Sequence, residues 1–446
     1  MAKAIKIRKG LNLKIKGSPE LNTNEVPNSS HYAIKPTDFP SLTPKMVVKQ
    51  GDKVKVGTPV FHDKYRESIQ YVSPVSGEVT EVKRGAKRKI LEVVIKADSE
   101  FTHESFDTTG DTKEVILKSG LWPCIKQRPL DIVANYKEEP KAIFISGFDS
   151  SPLAPNYEYL LQNKKAEVQA GIDALAKLTK GKLNVTIQNS AKNVSIFSST
   201  NGIELYTINS KHPAGNVGTQ IHHIAPVNKG EVVWTINALD VARIGSLFLT
   251  GKVDFSKTVA LTGSEVESPS YYKMIAGADI SHLVKGKIKS ENVRYISGNI
   301  LTGENVGQEG YLGFYDNQVT VIPEGDHYKV SFTEGWLSPG FKKLSNSKAF
   351  LSALIPQKSY DIDTNLNGEE RAFVISGQYE QVFPFDIYPV QLIKAAITND
   401  IDKMEKLGIY EVAPEDFALC EFVCTSKINS QQIIRDGLKV IEEECM

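Results

Sequence analysis

Over the first hundred or so residues, apolar positions come in short alternating runs cut by glycine and proline. Residues 45–60 read as β-rich runs broken at Gly51 and Gly57, and Pro74-Val75-Ser76-Gly77 turns into another strand at Glu78-Val79. Period-two patterning with such punctuation predicts a small all-β unit, with no helical period before it ends. From Lys141 the pattern changes. Ala142-Ile143-Phe144-Ile145 signals a buried strand, and Val168, Ile172, Leu175 and Leu178 recur at helical spacing. Gly181 stops that helix before residues 183–187 alternate again. Strand, helix, strand is a βαβ unit and predicts a parallel sheet, hence a Rossmann-like domain. Further strands are expected at 194–197 and 203–208. Asn237 is placed as the cap of a helix running to Thr250-Gly251, with Asp240 positioned to return the hydrogen bond.

Residues 258–303 carry two strand-plus-glycine signals, ending at Gly263 and Gly298, around one helical stretch at 271–275. This predicts a small β-grasp unit. Beyond Ser345 the balance turns helical. Leu392, Ile393 and Ala396 share a face within 391–407, as do Ile433, Ile434, Leu438 and Ile441 within 431–443. The half-motifs at 49–60 (K-x-G-D-x-V-x-x-G-T-P-V) and 73–79 (S-P-V-S-G-E-V) resemble the two halves of a lipoyl or biotinyl carrier domain. In carriers the modified lysine stands at a tight hairpin tip. The stretch from Lys64 to Pro74 is too long for that register, so Lys64 is read as an unmodified surface residue. The fold class is therefore α/β multidomain. Residues 1–100 form a carrier-like barrel-sandwich β domain and 101–255 a Rossmann-like α/β domain. Residues 256–345 form a β-grasp (SLBB-like) domain and 346–446 a C-terminal helical domain.

Length and charge narrow the function. A chain of 446 residues has room for several domains at roughly 100–200 residues each. Its 53 Lys+Arg balance 53 Asp+Glu, which gives no overall drive toward nucleic acid or anionic lipid. No run approaches the ~20 apolar residues of a membrane helix. The basic N-terminus lacks the apolar core of a signal peptide. Cys124, Cys420, Cys424 and Cys445 do not make a disulfide framework. A cytosolic, soluble chain is expected.

A flavin or dinucleotide needs a glycine-rich turn at a helix N-terminus so that backbone N–H groups reach the phosphate. The segment ahead of the βαβ unit, Ser119-Gly120-Leu121-Trp122-Pro123-Cys124-Ile125-Lys126, has one glycine followed by a bulky Trp and a Pro without an N–H. Gly10 and Gly17 are turn residues. His212, His222 and His223 lie in a Gly/Pro-rich stretch. On extended backbone the adjacent pair would face opposite ways, so structural loop histidines are expected ahead of a ligand-facing role, with metal behind both. Cys420 and Cys424 lie one turn apart on a helix, without the further nearby thiolates of an iron–sulfur site, and are read as buried cysteines. Five basic residues in 83–89 read as a solvated hairpin tip, with an anionic lipid surface or an acidic partner as the alternative. No metal site and no bound cofactor are expected.

Blocks in fixed order carry a resemblance along the whole chain. They are Ile5-Lys6-Ile7-Arg8-Lys9-Gly10-Leu11, Arg84-Gly85-Ala86-Lys87-Arg88, Ser119-Gly120-Leu121-Trp122, Lys141-Ala142-Ile143-Phe144, and His212-Pro213-Ala214-Gly215 with Gly218-Thr219 and His222. Pro226-Val227-Asn228, Leu247-Phe248-Leu249-Thr250-Gly251, Arg294 through Gly303, Tyr311-Leu312-Gly313, and Ala418-Leu419-Cys420 with Phe422-Val423-Cys424 follow. The chain resembles the NqrA family, the A subunits of the Na⁺-translocating NADH:quinone reductase. One departure is Thr425, where many members have proline. The resemblance implies a peripheral protein on the cytoplasmic face of the bacterial inner membrane, bound to the B to F subunits of the same complex and chiefly to the B one. It implies that FAD, FMN, riboflavin and a [2Fe–2S] centre reside on those other subunits. The family looks like a relative of the flavin-bearing subunits of complex I and the Rnf complex, with residues 119–126 standing where their flavin loop lies. It also implies contact with the substrate quinone, ubiquinone or menaquinone. Two apolar–basic segments supply candidates, Phe39, Leu42 and Met46 in one and Arg128 and Leu130 in the other, since a quinone ring wants apolar walls and a donor for its carbonyls. No catalytic residue is assigned to the isolated chain. The competing expectations are a scaffold whose quinone site lies on the B partner, and a flavoprotein.

Overall fold

The N-terminal unit is built from two small antiparallel sheets. His31–Ile34, Ile90–Ala97, Gly77–Arg84 and Lys53–Val54 form one, and Pro44–Met46, Pro59–Asp63 and Gln70–Val72 the other. Val60, Phe61, Val75, Val79, Val93 and Ile95 are fully buried. This is the all-β unit expected from the pattern, in the barrel-sandwich arrangement that the carrier-like half-motifs implied. The structure, a computed structural model, describes residues 2–326, 338–341, 343–346, 350–355 and 359–445. Lys64 is exposed at the start of the turn 64–69, which separates Pro59–Asp63 from Gln70–Val72.

The second unit centres on a seven-stranded sheet. Lys3–Ile5, Glu204–Ile208, Lys182–Gln188, Ala142–Ser146 and Val233–Asn237 run parallel in that order, and the hairpin Lys126–Arg128/Ile132–Val133 adds antiparallel at the far edge. The expected helix is Lys165–Ala176, and it crosses Ala238–Thr250 at two glycines. A Cβ on Gly171 would stand 2.1 Å from the Val241 carbonyl oxygen, and one on Gly245 would stand 1.7 Å from that of Glu167. Only glycine permits backbones so close. Gly251, at φ 69, closes the second helix as expected. Asn237 caps it by accepting the Leu239 N–H, but Asp240 turns instead to Arg243.

The third unit is a six-stranded sheet in the order Glu304–Asn305, Val293–Ser297, Gln318–Pro323, Ser256–Thr262, Ser270–Ile275 and Thr23–Glu25. The N-terminal segment therefore stitches the units together, giving one strand to the α/β sheet and another to the β-grasp sheet. A single apolar core runs through all three units. A second core belongs to the helices Tyr379–Val382, Pro389–Ile397, Ile401–Lys406, Ala418–Val423 and Ser430–Cys445, and it takes in Leu130 and Ile132 from the edge hairpin.

Four further expectations are corrected. The stretch 271–275 is strand Ser270–Ile275, not helix. It is paired on both sides and rich in β-favouring Tyr and Ile. Residues 194–197 are not a strand. The 3₁₀ turn Ile196–Ser199 replaces it, because Ser198, Ser199 and Thr200 hydroxyls bond to local carbonyls in place of a ladder. The 391–407 run breaks into two helices at Asn399 (φ 50), where Asp400 caps the second. His222 and His223 lie on helix Val217–Ile224, not on extended backbone.

Candidate functional site

Pro36 starts a 3₁₀ turn, Pro36–Asp38, at the end of strand His31–Ile34, and the turn delivers Lys35, Asp38 and Phe39 to the junction of the first three units. Phe39 packs its ring on Tyr71 at 4.6 Å, Phe314 at 4.9 Å and Tyr315 at 5.7 Å between centroids. These distances suit edge-to-face and tilted aromatic contacts. Beside them lies a cavity of about 30 Å³, walled by Lys35, Asp38, Phe39, Tyr71, Gly120, Pro123, Gly277 and Phe314 among others. Its polar corner is a buried pair. Lys35 Nζ lies 3.4 Å from Asp38 and 3.0 Å from Glu304, and the Phe314 N–H donates to Asp38 at 2.8 Å. Burial pushes the Asp38 carboxyl up to about 6 despite the pull of Lys35. Burial also disfavours the Lys35 charge, but Asp38 and Glu304 outweigh it and hold its pKa above the ordinary value.

The segment 119–126 forms one wall. Gly120 adopts φ 74, and a Cβ there would meet Val72 methyl carbons at 2.4 Å, so the loop lies flat on strand Gln70–Val72. Trp122–Cys124 is a 3₁₀ turn, fixed by Trp122 Nε1 donating to the Ala134 carbonyl at 2.7 Å and by the Tyr315 hydroxyl donating to that of Pro123 at 2.7 Å.

The five quinone candidates divide. Phe39 lines the cavity, while Leu42 and Met46 are half-buried against the same core. Arg128 and Leu130 lie outside it, in the seam with the helical unit. The Arg128 guanidinium is fully buried, 2.7 Å from Glu415, 3.3 Å from Asp416 and 3.6 Å from Asp131. Burial opposes its charge, and the three carboxylates more than compensate. Arg435 donates to the Leu130 carbonyl at 2.8 Å and to Asp131 at 3.0 Å. Tyr315 joins the two regions, with Phe39 on one side and the Lys126 ammonium 4.3 Å above its ring. The C-terminal helix also touches both segments, through Arg435 and through Glu442, which accepts from the Ser41 hydroxyl. Lys35, Asp38, Tyr71, Phe314 and Tyr315 were not singled out in the sequence. The Gly313-Phe314-Tyr315 aromatic pair was the one visible signal.

A doubly wound sheet ordinarily takes ligands beyond the carboxyl ends of its strands, where strand order reverses. Here that place, between Ala142–Ser146 and Val233–Asn237, is filled by residues 147–161. The Tyr157 hydroxyl accepts from Asn237 at 2.6 Å, Gln318 donates to the Pro152 carbonyl at 3.2 Å, and Ser150 accepts the Gly215 N–H at 2.7 Å. His212 lies 3.0 Å from the Ser150 hydroxyl, and burial lowers its pKa to about 4. His222 Nδ1 donates to Glu411 at 3.0 Å, since its Nε2 accepts the Asp386 N–H at 3.0 Å. His223 Nδ1 donates to the Thr219 carbonyl at 2.9 Å. All three rings are thus engaged within the chain. Cys420 and Cys424 are buried, and among the described residues no group of three or more His, Cys, Asp or Glu is placed to hold a metal ion.

Comparison with known proteins settles the family. The chain is 37% identical over 453 residues to the A subunit of the Na⁺-translocating NADH-quinone reductase of Rhodopirellula baltica, with 98% of each chain covered. Its counterpart from Hahella chejuensis is also 37% identical, over 99% of this chain and 100% of its own. The chain belongs to the NqrA family. Three family models match in series: "NqrA N-terminal barrel-sandwich hybrid domain" at residues 5–98, "NqrA second alpha/beta domain" at 108–253, and "NQRA C-terminal domain" at 258–308. One polypeptide of an NAD⁺-reducing [NiFe]-hydrogenase crystal structure is similar at 11% identity and a TM-score of 0.36, over 75% of this chain and 58% of its own. The Phe39 cavity draws residues from all three NqrA segments, with Ala276 and Gly277 from the third, and Phe255 from the stretch between the second and third.

Proposed function

We propose that this chain works as the A subunit of a Na⁺-translocating NADH:quinone reductase, a peripheral component that docks on membrane-embedded partners and contributes to quinone reduction coupled to Na⁺ export. The observation that carries the reading is the end-to-end family match. Among the described residues, no helix is long and apolar enough to cross a membrane. In this reading the B to F subunits carry the FAD, FMN, riboflavin and [2Fe–2S] centres, the B one is the main partner, and the chain sits on the cytoplasmic face of the inner membrane. The isolated chain is not itself a catalyst. Phe39, Leu42 and Met46 would supply the apolar wall for the quinone ring, with Lys35 the nearest buried donor for a carbonyl oxygen. Arg128 and Leu130 would act behind that wall by fixing strand Lys126–Arg128, which meets it through Tyr315.

A second reading, a scaffold whose quinone site lies on the B partner, is favoured by one observation. A cavity of about 30 Å³ holds a water molecule or so, not a quinone ring, without the walls parting. Quinone titration of the purified chain, followed by tryptophan fluorescence with an absorption spectrum of the same sample, separates the two. Trp122 lies in the wall segment, and Trp336 lies outside the described residues. Saturable quenching without visible absorbance, weakened by Leu42→Ala and Phe39→Ala, is expected. Absence of quenching leaves the scaffold, and visible flavin absorbance would overturn both.

A further inference from the structure

The basic run 83–89 caps the hairpin between strands Gly77–Arg84 and Ile90–Ala97. Lys83 is paired with Glu92 at 3.2 Å across the ladder. Among the described residues, Arg84, Lys87, Arg88 and Lys89 have no carboxylate within 4.0 Å, and all four are exposed. The turn is held in shape. Gly85 N–H donates to the Lys89 carbonyl at 2.8 Å, Lys89 N–H to that of Ala86 at 3.1 Å, and the Arg84 guanidinium to that of Arg88 at 3.2 Å. Lys87 (φ 53) and Arg88 (φ 62) are both left-handed, where glycine or asparagine would sit with less strain. Two basic side chains in succession at strained positions point to a use for them.

We propose that this tip binds the anionic headgroup surface of a lipid bilayer. Shape favours lipid over an acidic protein. A stable protein interface needs about 800 Å² from each partner, which a seven-residue protruding turn does not offer. A fluid headgroup layer can instead gather its own charges around a fixed convex cluster. Ala86 is the only apolar side chain at the tip, so contact stays at headgroup depth and is electrostatic, sensitive to salt. The proposal rests on the tip alone and does not depend on where quinone binds.

The test is flotation of the purified full chain with vesicles of phosphatidylcholine, with and without about one-third phosphatidylglycerol. Enrichment on the anionic vesicles alone, lost at raised salt, is expected. Lys87→Asn with Arg88→Asn keeps the left-handed backbone and removes two charges. It should weaken partitioning roughly thirtyfold, from about 1 kcal/mol per cation at 1.4 kcal/mol per tenfold. Lys87→Arg with Arg88→Lys should bind as the parent does. No enrichment, equal enrichment on neutral vesicles, or full binding by the Asn pair would each overturn the proposal. So would indifference to vesicles together with weaker, salt-sensitive retention of the Asn pair in its complex, which would assign the tip to an acidic partner protein.

Discussion

Replacing Arg128 with methionine tests whether the helical unit is held to the α/β edge by a buried charge network. The substitution puts a shorter, unbranched apolar side chain in the place of the arginine stem and removes the charge shared by three carboxylates. Their losses are unequal. Asp131 keeps Lys126 at 3.6 Å and Arg435 at 3.0 Å, and Glu415 is 38% exposed and screened by solvent. Asp416 is fully buried and loses its one cation. Among the described residues it keeps only the Ala413 N–H at 2.9 Å, while its Oδ1 already has no hydrogen-bond partner there. Stranding a buried charge in this way costs about 3–5 kcal/mol. Burial already pushes Asp416 up to about 7, and losing Arg128 raises it further. A carboxyl raised on folding binds a proton that the unfolded chain has released, so stability falls as pH rises from the ordinary carboxylate range through the raised value. The deficit of Arg128→Met should therefore be larger near about pH 8 than near about pH 5 in urea unfolding. Hydrogen exchange should localise it to Pro389–Ile397 and Ser430–Cys445. Adding Asp416→Leu should recover most of the loss, because an apolar pair replaces a broken ionic one. A deficit below about 1 kcal/mol, as for an exposed ion pair, or one that ignores pH, would refute the reasoning.

Three further outcomes are expected. Gly245→Ala places a Cβ 1.7 Å from the Glu167 carbonyl oxygen and should cost about 3 kcal/mol in urea unfolding. Gly110→Ala meets nothing within 4 Å and should stay within about 0.5 kcal/mol, so equal effects would discredit the helix-crossing account. Asp38, pushed up to about 6, makes stability fall between the ordinary carboxylate range and that value as pH rises. Asp38→Asn should flatten this limb of the pH profile, and an unchanged slope would show that another group produces it. Of the four cysteines only Cys445 is exposed, so a thiol reagent should titrate one thiol in the native chain and four after denaturation.

The parallel sheet was readable because its signals are local: a buried run at Ala142–Ser146, a helical period to Leu178, and a glycine stop. The strand Ser270–Ile275 was not. Buried on both faces, Tyr271, Tyr272 and Met274 show no alternation to separate strand from helix. Lys3–Ile5 and Thr23–Glu25 are short and mostly exposed, and they join distant sheets through backbone bonds that no side-chain pattern announces. The site divides in the same way. Phe39, Leu42 and Met46 stood out as apolar positions beside basic ones. Asp38 takes its backbone hydrogen bond from Phe314, 276 residues on, and two of the three carboxylates around Arg128, Glu415 and Asp416, lie 287 and 288 residues away. Charge burial is set by tertiary pairing, so neither network could be read from the residues alone.

The place where a parallel sheet offers its ligand crevice is taken up by the chain itself, through Tyr157, Pro152 and Ser150. The cavity with converging polar groups lies instead between units, where Lys35 and Asp38 meet Phe314. A site between units makes ligand affinity and domain docking parts of one free energy, because whatever binds the closed junction stabilises it by RT ln(1 + [L]/Kd). Quinone bound at Phe39 should therefore raise hydrogen-exchange protection of His31–Ile34, Gln70–Val72 and Gln318–Pro323 together. Ser430–Cys445, which belongs to a separate core, should gain less, through Ser41 and Glu442 and through Arg435 on the edge hairpin. If quinone instead protects the C-terminal helix first, the ring sits in the Arg128 seam and the two candidate segments exchange their roles.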